Sequence, residues 1–243
     1  MKPPMPLSEK FCATLESNPT ADLAVVLRDI CVGHNFTNIT YYSPSIPTGE
    51  EDEVVLITTY PEAWVSHYFE REYEVVDPVL SAGSRSLLPV DWNGLSKLDG
   101  AAGKFFGEAR EFGLGESGLT VPVRGVYGEQ AMLSLNAECT ANEWQSFCRD
   151  ASSDLFYLAH LIHENVVASR HPPQGVNKQS LTRREADVLR WAARGKTAWE
   201  TAKILGLSEK TVTFYTGNIC TKLKVATKTQ AVAKAVRERM ILF

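Results

Sequence analysis

Apolar residues recur at helical spacing in 8–17 and 20–33, which predicts two amphipathic helices. Asn38–Ser43 and Val54–Thr59 are β-branched or aromatic runs bounded by Pro, Gly and acidic turn residues, the pattern of strands. Pro61 stands where a helix over Glu62–Glu72 begins, and Asp77 caps another whose first turn holds Pro78. A helix over about Leu98–Phe112 follows, then strands Gly118–Val123 and Gln130–Ala137, then a long helix from Ala141 to about Ser169. Strands flanked by helices at both ends predict an α+β fold. The front of the chain becomes an α/β/α sandwich whose single antiparallel sheet is covered on both faces, with room for an interior pocket.

The stretch 170–180 holds two prolines, a glycine and polar residues and cannot continue a helix, so it reads as a linker between a domain over 1–169 and another over 181–243. The second domain carries three capping-box patterns, Thr182 with Glu185, Thr197 with Glu200 and Thr227 with Gln230. Four helices result, over about Arg183–Ala193, Ala198–Leu205, Glu209–Leu223 and Lys228–Arg239, with Gly195 and Gly206 at stops. The second and third are joined by Gly206, Leu207 and the cap Ser208, a helix-turn-helix whose second helix belongs in a DNA major groove.

Charge sharpens this division. From Val176 onward there are 14 Lys/Arg against 5 Asp/Glu, a net of +9, while the preceding 175 residues hold 11 against 24, a net of −13. Only the small domain is suited to a polyanion. No run approaches the roughly 20 apolar residues of a membrane span, and the Pro-rich start lacks the apolar core of a signal peptide. Five scattered cysteines without a Cys-x-x-Cys pair suit free thiols in the cytoplasm.

On the third helix of the small domain, Val212, Ile219 and Leu223 face inward, leaving Lys210, Thr213, Phe214 and Gly217 on the outer side. Lys210, Lys222 and Lys224 suit phosphates; Thr213 and Phe214 suit base edges, including a thymine methyl; Gly217 permits close backbone approach. With Thr211 and Lys222, these form the candidate DNA-facing set. The run 181–196 (LTRREADVLRWAARGK), Ser208–Val212, Asn218-Ile219 and Lys222-Leu223 resemble the LuxR-type DNA-binding domain across nearly the whole tail. Tyr215 stands where that family usually has His, and Thr201 where Ile is common.

In the front domain, Trp64 and Tyr68 are four apart and share a helix face, and Tyr60 ends the preceding strand. Two hydroxyls and an indole N–H around an apolar space, with Asp77 as acceptor, suit a small amphipathic ligand bearing carbonyls and an amide. By spacing alone, these aromatics read first as a packed core. Tyr60, Trp64, Tyr68, Asp77-Pro78, Trp92 and Gly118-x-x-x-Pro122 also resemble, in order and spacing, the autoinducer-binding domain of LuxR-type quorum-sensing receptors. The resemblance implies a non-enzymatic transcription factor that binds an N-acyl-homoserine lactone and needs no cofactor. Trp64 would donate to the lactone carbonyl, Asp77 would accept the ligand amide N–H and Tyr60 would bond the acyl carbonyl. Tyr68 and Trp92 would line the pocket, and Ser134 or Met132 would touch the acyl group. It further implies a homodimer on a near-palindromic DNA site, with RNA polymerase as a further partner.

Other patterns carry less. Residues 113–118 spell G-x-G-x-x-G, but lie after a helix and before a strand, the reverse of a dinucleotide site. His160 and His163 are a helical pair without a third ligand nearby, which favours a packed or dimer-facing helix. The alternatives are control by another small molecule, or by phosphorylation of a receiver domain. The latter needs an early acidic pair at the end of a strand, and within the first 60 residues adjacent acids occur only in the loop-like run Glu50–Glu53.

Overall fold

The structure, a computed structural model, describes residues 5–47, 52–95, 100–115, 117–125, 128–170, 181–238 and 240–241. The predicted linker beyond Arg170, the start of the acidic run at 50–51, residue 116 of the glycine motif, and the ends of two predicted helices at 98–99 and 239 lie outside the described residues. The chain forms two compact units that part near residue 172.

The first unit opens with α1 (Leu7–Ser17) and α2 (Leu23–His34), followed by β1 (Asn38–Pro47) and β2 (Asp52–Thr58). Next come α3 (Glu62–Glu70), α4 (Tyr73–Val76), α5 (Pro78–Ser84), β3 (Val90–Asp91), a 3-10 turn over Trp92–Gly94, and α6 (Ala101–Glu111). β4 (Ser117–Arg124), β5 (Gln130–Ala137) and the long α7 (Ala141–Arg170) complete it. The five strands make one antiparallel sheet in the order β2-β1-β5-β4-β3.

Strand alternation divides the sheet's two faces. Ile39, Tyr41, Leu133, Leu135, Leu119 and Val121 are buried in one core with Phe11 of α1, Leu27 and Ile30 of α2, and Leu155, Leu158 and Ile162 of α7. The register pairs Thr40 with Thr58 and Ser134, and Ser134 with Thr120, so the intervening positions put hydroxyls on the opposite face. A slip of one residue would exchange the two sets, so the apolar core pins the register that builds the polar face.

Two polar contacts tie α7 into this core. Pro6 supplies no side-chain cap to α1, and Asp154 of α7 takes its place by accepting from Leu7 N at 2.5 Å and Ser8 N at 3.2 Å. Buried His163 meets the Tyr41 hydroxyl through Nδ1 at 2.7 Å, whereas His160 Nδ1 lies 2.8 Å from the Phe156 carbonyl. The two histidines of α7 thus serve separate partners.

The predicted helix over 62–72 stops short. Glu72 takes the left-handed conformation (φ 52°), which breaks the helix and starts α4, bringing the Tyr73 ring to 6.1 Å from that of Trp64. The two-residue β3 and the four-residue α4 carry no periodic signal.

The second unit holds α8 (Arg183–Ala193), α9 (Ala198–Leu205), α10 (Glu209–Leu223) and α11 (Lys228–Arg237). All three predicted capping boxes close reciprocally, and Gly206 ends α9 at φ 66°. Such caps are each worth about 1 kcal/mol. They matter in a unit whose core consists mainly of Val188, Leu189, Val212, Ile219, Leu223 and small alanines.

Candidate ligand cavity and nucleic-acid interface

Between the hydroxyl face of the sheet and α3–α6 lies a cavity of about 290 Å³. Its lining includes Tyr60, Trp64, Tyr68, Asp77, Trp92 and Ser134 of the predicted set. Met132 does not line it: its sulfur lies where a side chain on Gly83 of α5 would begin, so α5 covers it. Strand periodicity puts Met132 and Ser134 on one face, and only the position of α5 separates them.

Asp77 is the most constrained group of the site. Its Oδ1 caps α5 by accepting from Val79 N at 2.7 Å and Leu80 N at 3.2 Å, and its Oδ2 accepts from the Tyr68 hydroxyl at 2.9 Å. Burial pushes its carboxyl up to about 6, against the lowering effect of these hydrogen bonds. Burial, and then the nearby Asp77 charge, raise the hydroxyl pKa values of Tyr60 and Tyr68. Tyr42 is raised by burial, then by Glu74 and Asp77. These phenols therefore remain neutral donors around one carboxyl group.

Trp64 is 2% exposed, packed edge-on against Tyr68 and Phe105, and its Nε1 has no hydrogen-bond partner among the described residues. Trp92 is differently committed: its Nε1 donates to Thr120 Oγ1 at 2.8 Å, and Thr120 meets Ser134 Oγ at 2.8 Å. Its indole lies over Gly118, where a Cβ would overlap the ring, so only glycine admits this placement.

The opposite wall is α6, which contributes Phe105, Phe106, Ala109 and Arg110. Glu108 latches this helix by accepting from Tyr73 at 2.6 Å and pairing with His67 Nε2 at 2.6 Å. Tyr73, and then His67, pull its carboxyl down to about 2. Sequence reasoning assigned α6 no role and missed Thr40, Tyr42 and Leu56 on the floor. The alternation Ile39-Thr40-Tyr41-Tyr42 carries a signal for the first two.

On α10, Lys210, Thr213, Phe214 and Gly217 are exposed, Phe214 at 63%. Thr213 Oγ1 donates to the Glu209 carbonyl at 3.0 Å, and half-buried Thr211 meets the cap hydroxyl of Ser208 at 2.7 Å. Lys222 corrects the predicted phosphate-facing set. Its Nζ lies 2.7 Å from Oε2 of Glu185, a buried member of the first capping box. A cation held by a buried carboxylate braces α10 against α8 rather than projecting towards a phosphate. Tyr215 packs half-buried on the core, and Thr201 is buried.

The family model for the autoinducer-binding domain matches residues 20–166, and that for the luxR family of bacterial regulatory proteins matches 179–235. The chain belongs to the LuxR family. It is 34% identical over 194 residues to the transcriptional activator protein RaiR of Rhizobium etli, covering 79% of this chain and 80% of that one. It is 30% identical over 217 residues to VanR of Vibrio anguillarum, covering 88% and 89%. The crystal structure of Escherichia coli SdiA superposes with a TM-score of 0.60 at 26% identity, covering 96% of this chain and 98% of that one. SdiA in complex with octanoyl-rac-glycerol gives 0.58 at the same identity, covering 96% of each chain. LuxR-type membership makes this chain a quorum-sensing transcription regulator that acts by binding rather than as an enzyme. Among the described residues, no helix is long and apolar enough to cross a membrane.

Proposed function

We propose that the cavity binds an N-acyl-homoserine lactone and that the ligand controls DNA binding by a cytoplasmic homodimer. The observation that carries this reading is the polarity of the wall: the Trp64 N–H, without a partner among the described residues, and the buried Asp77 carboxylate present a donor and an acceptor beside one apolar space. Trp64 donates to the lactone carbonyl, Asp77 accepts the amide N–H, and Tyr60 and Ser134 meet the acyl carbonyl. Tyr68 and Trp92 complete the lining. A ligand that binds only the folded unit stabilises it by mass action.

Dimerisation through α7 and α11 presents two copies of α10 to half-sites one helical turn apart, on a near-palindromic DNA site, and the bound dimer engages RNA polymerase. Lys210, Thr213, Phe214 and Gly217 form the DNA-facing surface, with Thr211 ordering its first turn and Lys222 bracing it from behind.

The test expresses the full chain with a panel of acyl-homoserine lactones, and with octanoyl glycerol as the ester counterpart. Solubility, melting temperature and DNA binding are measured. A lactone-dependent rise in melting temperature that is lost in Trp64→Ala and Asp77→Ala is expected. No shift with any lactone sinks the ligand assignment and leaves family membership untouched; a shift with the glycerol ester alone makes the ligand an acylglycerol.

A further inference from the structure

Thr120 does not line the cavity, yet it joins two groups that do. An indole nitrogen only donates, so Thr120 Oγ1 must accept from Trp92 Nε1 across their 2.8 Å contact. Thr120 is fully buried, and among the described residues the remaining partner of its hydroxyl is Ser134 Oγ, also at 2.8 Å. The Thr120 proton therefore goes to Ser134, since a buried hydroxyl proton without an acceptor is costly. Ser134, now accepting from Thr120, keeps its own proton for the cavity it lines. The adjoining strands repeat the sense: Tyr60 N donates to Thr58 Oγ1 at 3.0 Å, and Thr58 meets Thr40 at 2.6 Å.

We propose that Thr120 is a positioning residue that relays the Trp92 N–H through its own hydroxyl and so fixes Ser134 as a hydrogen-bond donor to the ligand's acyl carbonyl. This rests on the reading of the cavity as a lactone site. The chain of donors is directional because its first member cannot accept, and each bond polarises the next. The floor then offers donors while the Asp77 wall offers an acceptor, so an amide enters in one orientation. Its C=O faces Ser134 and its N–H faces Asp77.

The experiment compares N-octanoyl-homoserine lactone with its thioamide counterpart, whose sulfur is a weak acceptor, on full-length wild type, Thr120→Val and Thr120→Ser. Wild type is expected to bind the amide about tenfold more tightly than the thioamide, the scale of one well-made hydrogen bond. Thr120→Val should bind the amide several-fold more weakly and narrow the discrimination to the share that the Tyr60 hydroxyl supplies, while Thr120→Ser restores both. A valine variant that keeps the discrimination, or weakens both ligands by one factor alongside a lower melting temperature without ligand, overturns the proposal. Wild type binding neither ligand removes the lactone reading itself.

Discussion

Tyr68 and Asp77 stand nine residues apart in sequence and meet at 2.9 Å, where the tyrosine hydroxyl donates to the one carboxylate oxygen that does not cap α5. Asp77 thus anchors a helix and lines the cavity at once, where the proposed ligand amide would meet it. Its carboxyl is pushed up to about 6, chiefly by burial. A carboxyl raised above its unfolded value adds stability that is complete below about pH 4 and is lost as pH rises through about 6. The ligand-free protein should therefore lose about 2 kcal/mol relative to Asp77→Asn on going from about pH 4 to about pH 7.5. Lactone affinity should move the other way, rising as Asp77 ionises through about pH 6. Paired melting and binding titrations of the two proteins check both signs. An Asn variant whose curves parallel wild type would remove Asp77 as the titrating group.

Gly118 offers a second test, because a Cβ there would overlap the Trp92 indole. Gly118→Ala must push Trp92 off Thr120, breaking the 2.8 Å bond at the head of the floor's hydrogen-bond chain. Overpacking of this kind costs about 1–3 kcal/mol. The expected result is a lower melting temperature together with weakened lactone binding, read by thermal shift with and without ligand. Unchanged lactone affinity would show that Trp92 and its chain do not shape the site.

What the sequence revealed followed physical range. The capping boxes at Thr182, Thr197 and Thr227 act within four residues, and all three close as their spacing predicts. Trp64 and Tyr68 were placed on one face by helix period, and the Asp77 cap by its neighbour Pro78. Long-range placement was not legible. The separation of Met132 from Ser134 depends on where α5 lies, the donor chain through Thr120 on strand register, and the α6 latch on residues 41 and 35 positions apart. Lys222 shows the same limit: a lysine near a helix end is drawn to phosphate by pattern, yet its partner Glu185 lies 37 residues away.

Lys222 and Lys210 should consequently separate in experiment. Lys222→Met leaves Glu185, 3% exposed, without its cation, and should lower the stability of the second unit by about 1–3 kcal/mol. Lys210 is exposed at the start of α10, and Lys210→Ala should leave the melting temperature unchanged. It should weaken DNA binding and reduce the salt slope of log K by about 1. Melting curves and salt titrations of DNA binding decide. A salt slope reduced by Lys222→Met and not by Lys210→Ala would reverse the two assignments.

Gly217 sets stability against binding within one residue. It lies mid-way along α10, is exposed, and a Cβ there would meet nothing within 4 Å. A helix-interior glycine costs about 0.5–1 kcal/mol relative to alanine, so Gly217→Ala should stabilise the second unit by that amount. A residue that gives up helix stability without a packing reason is explained if another surface must approach its backbone closely. On the proposed DNA-facing side, the added methyl would hold the helix off the groove. Gly217→Ala is therefore expected to melt higher and bind DNA more weakly, whereas alanine at a solvated position would change stability alone. Undiminished DNA affinity in this stabilised variant would move the contact surface away from the Thr213–Phe214–Gly217 face.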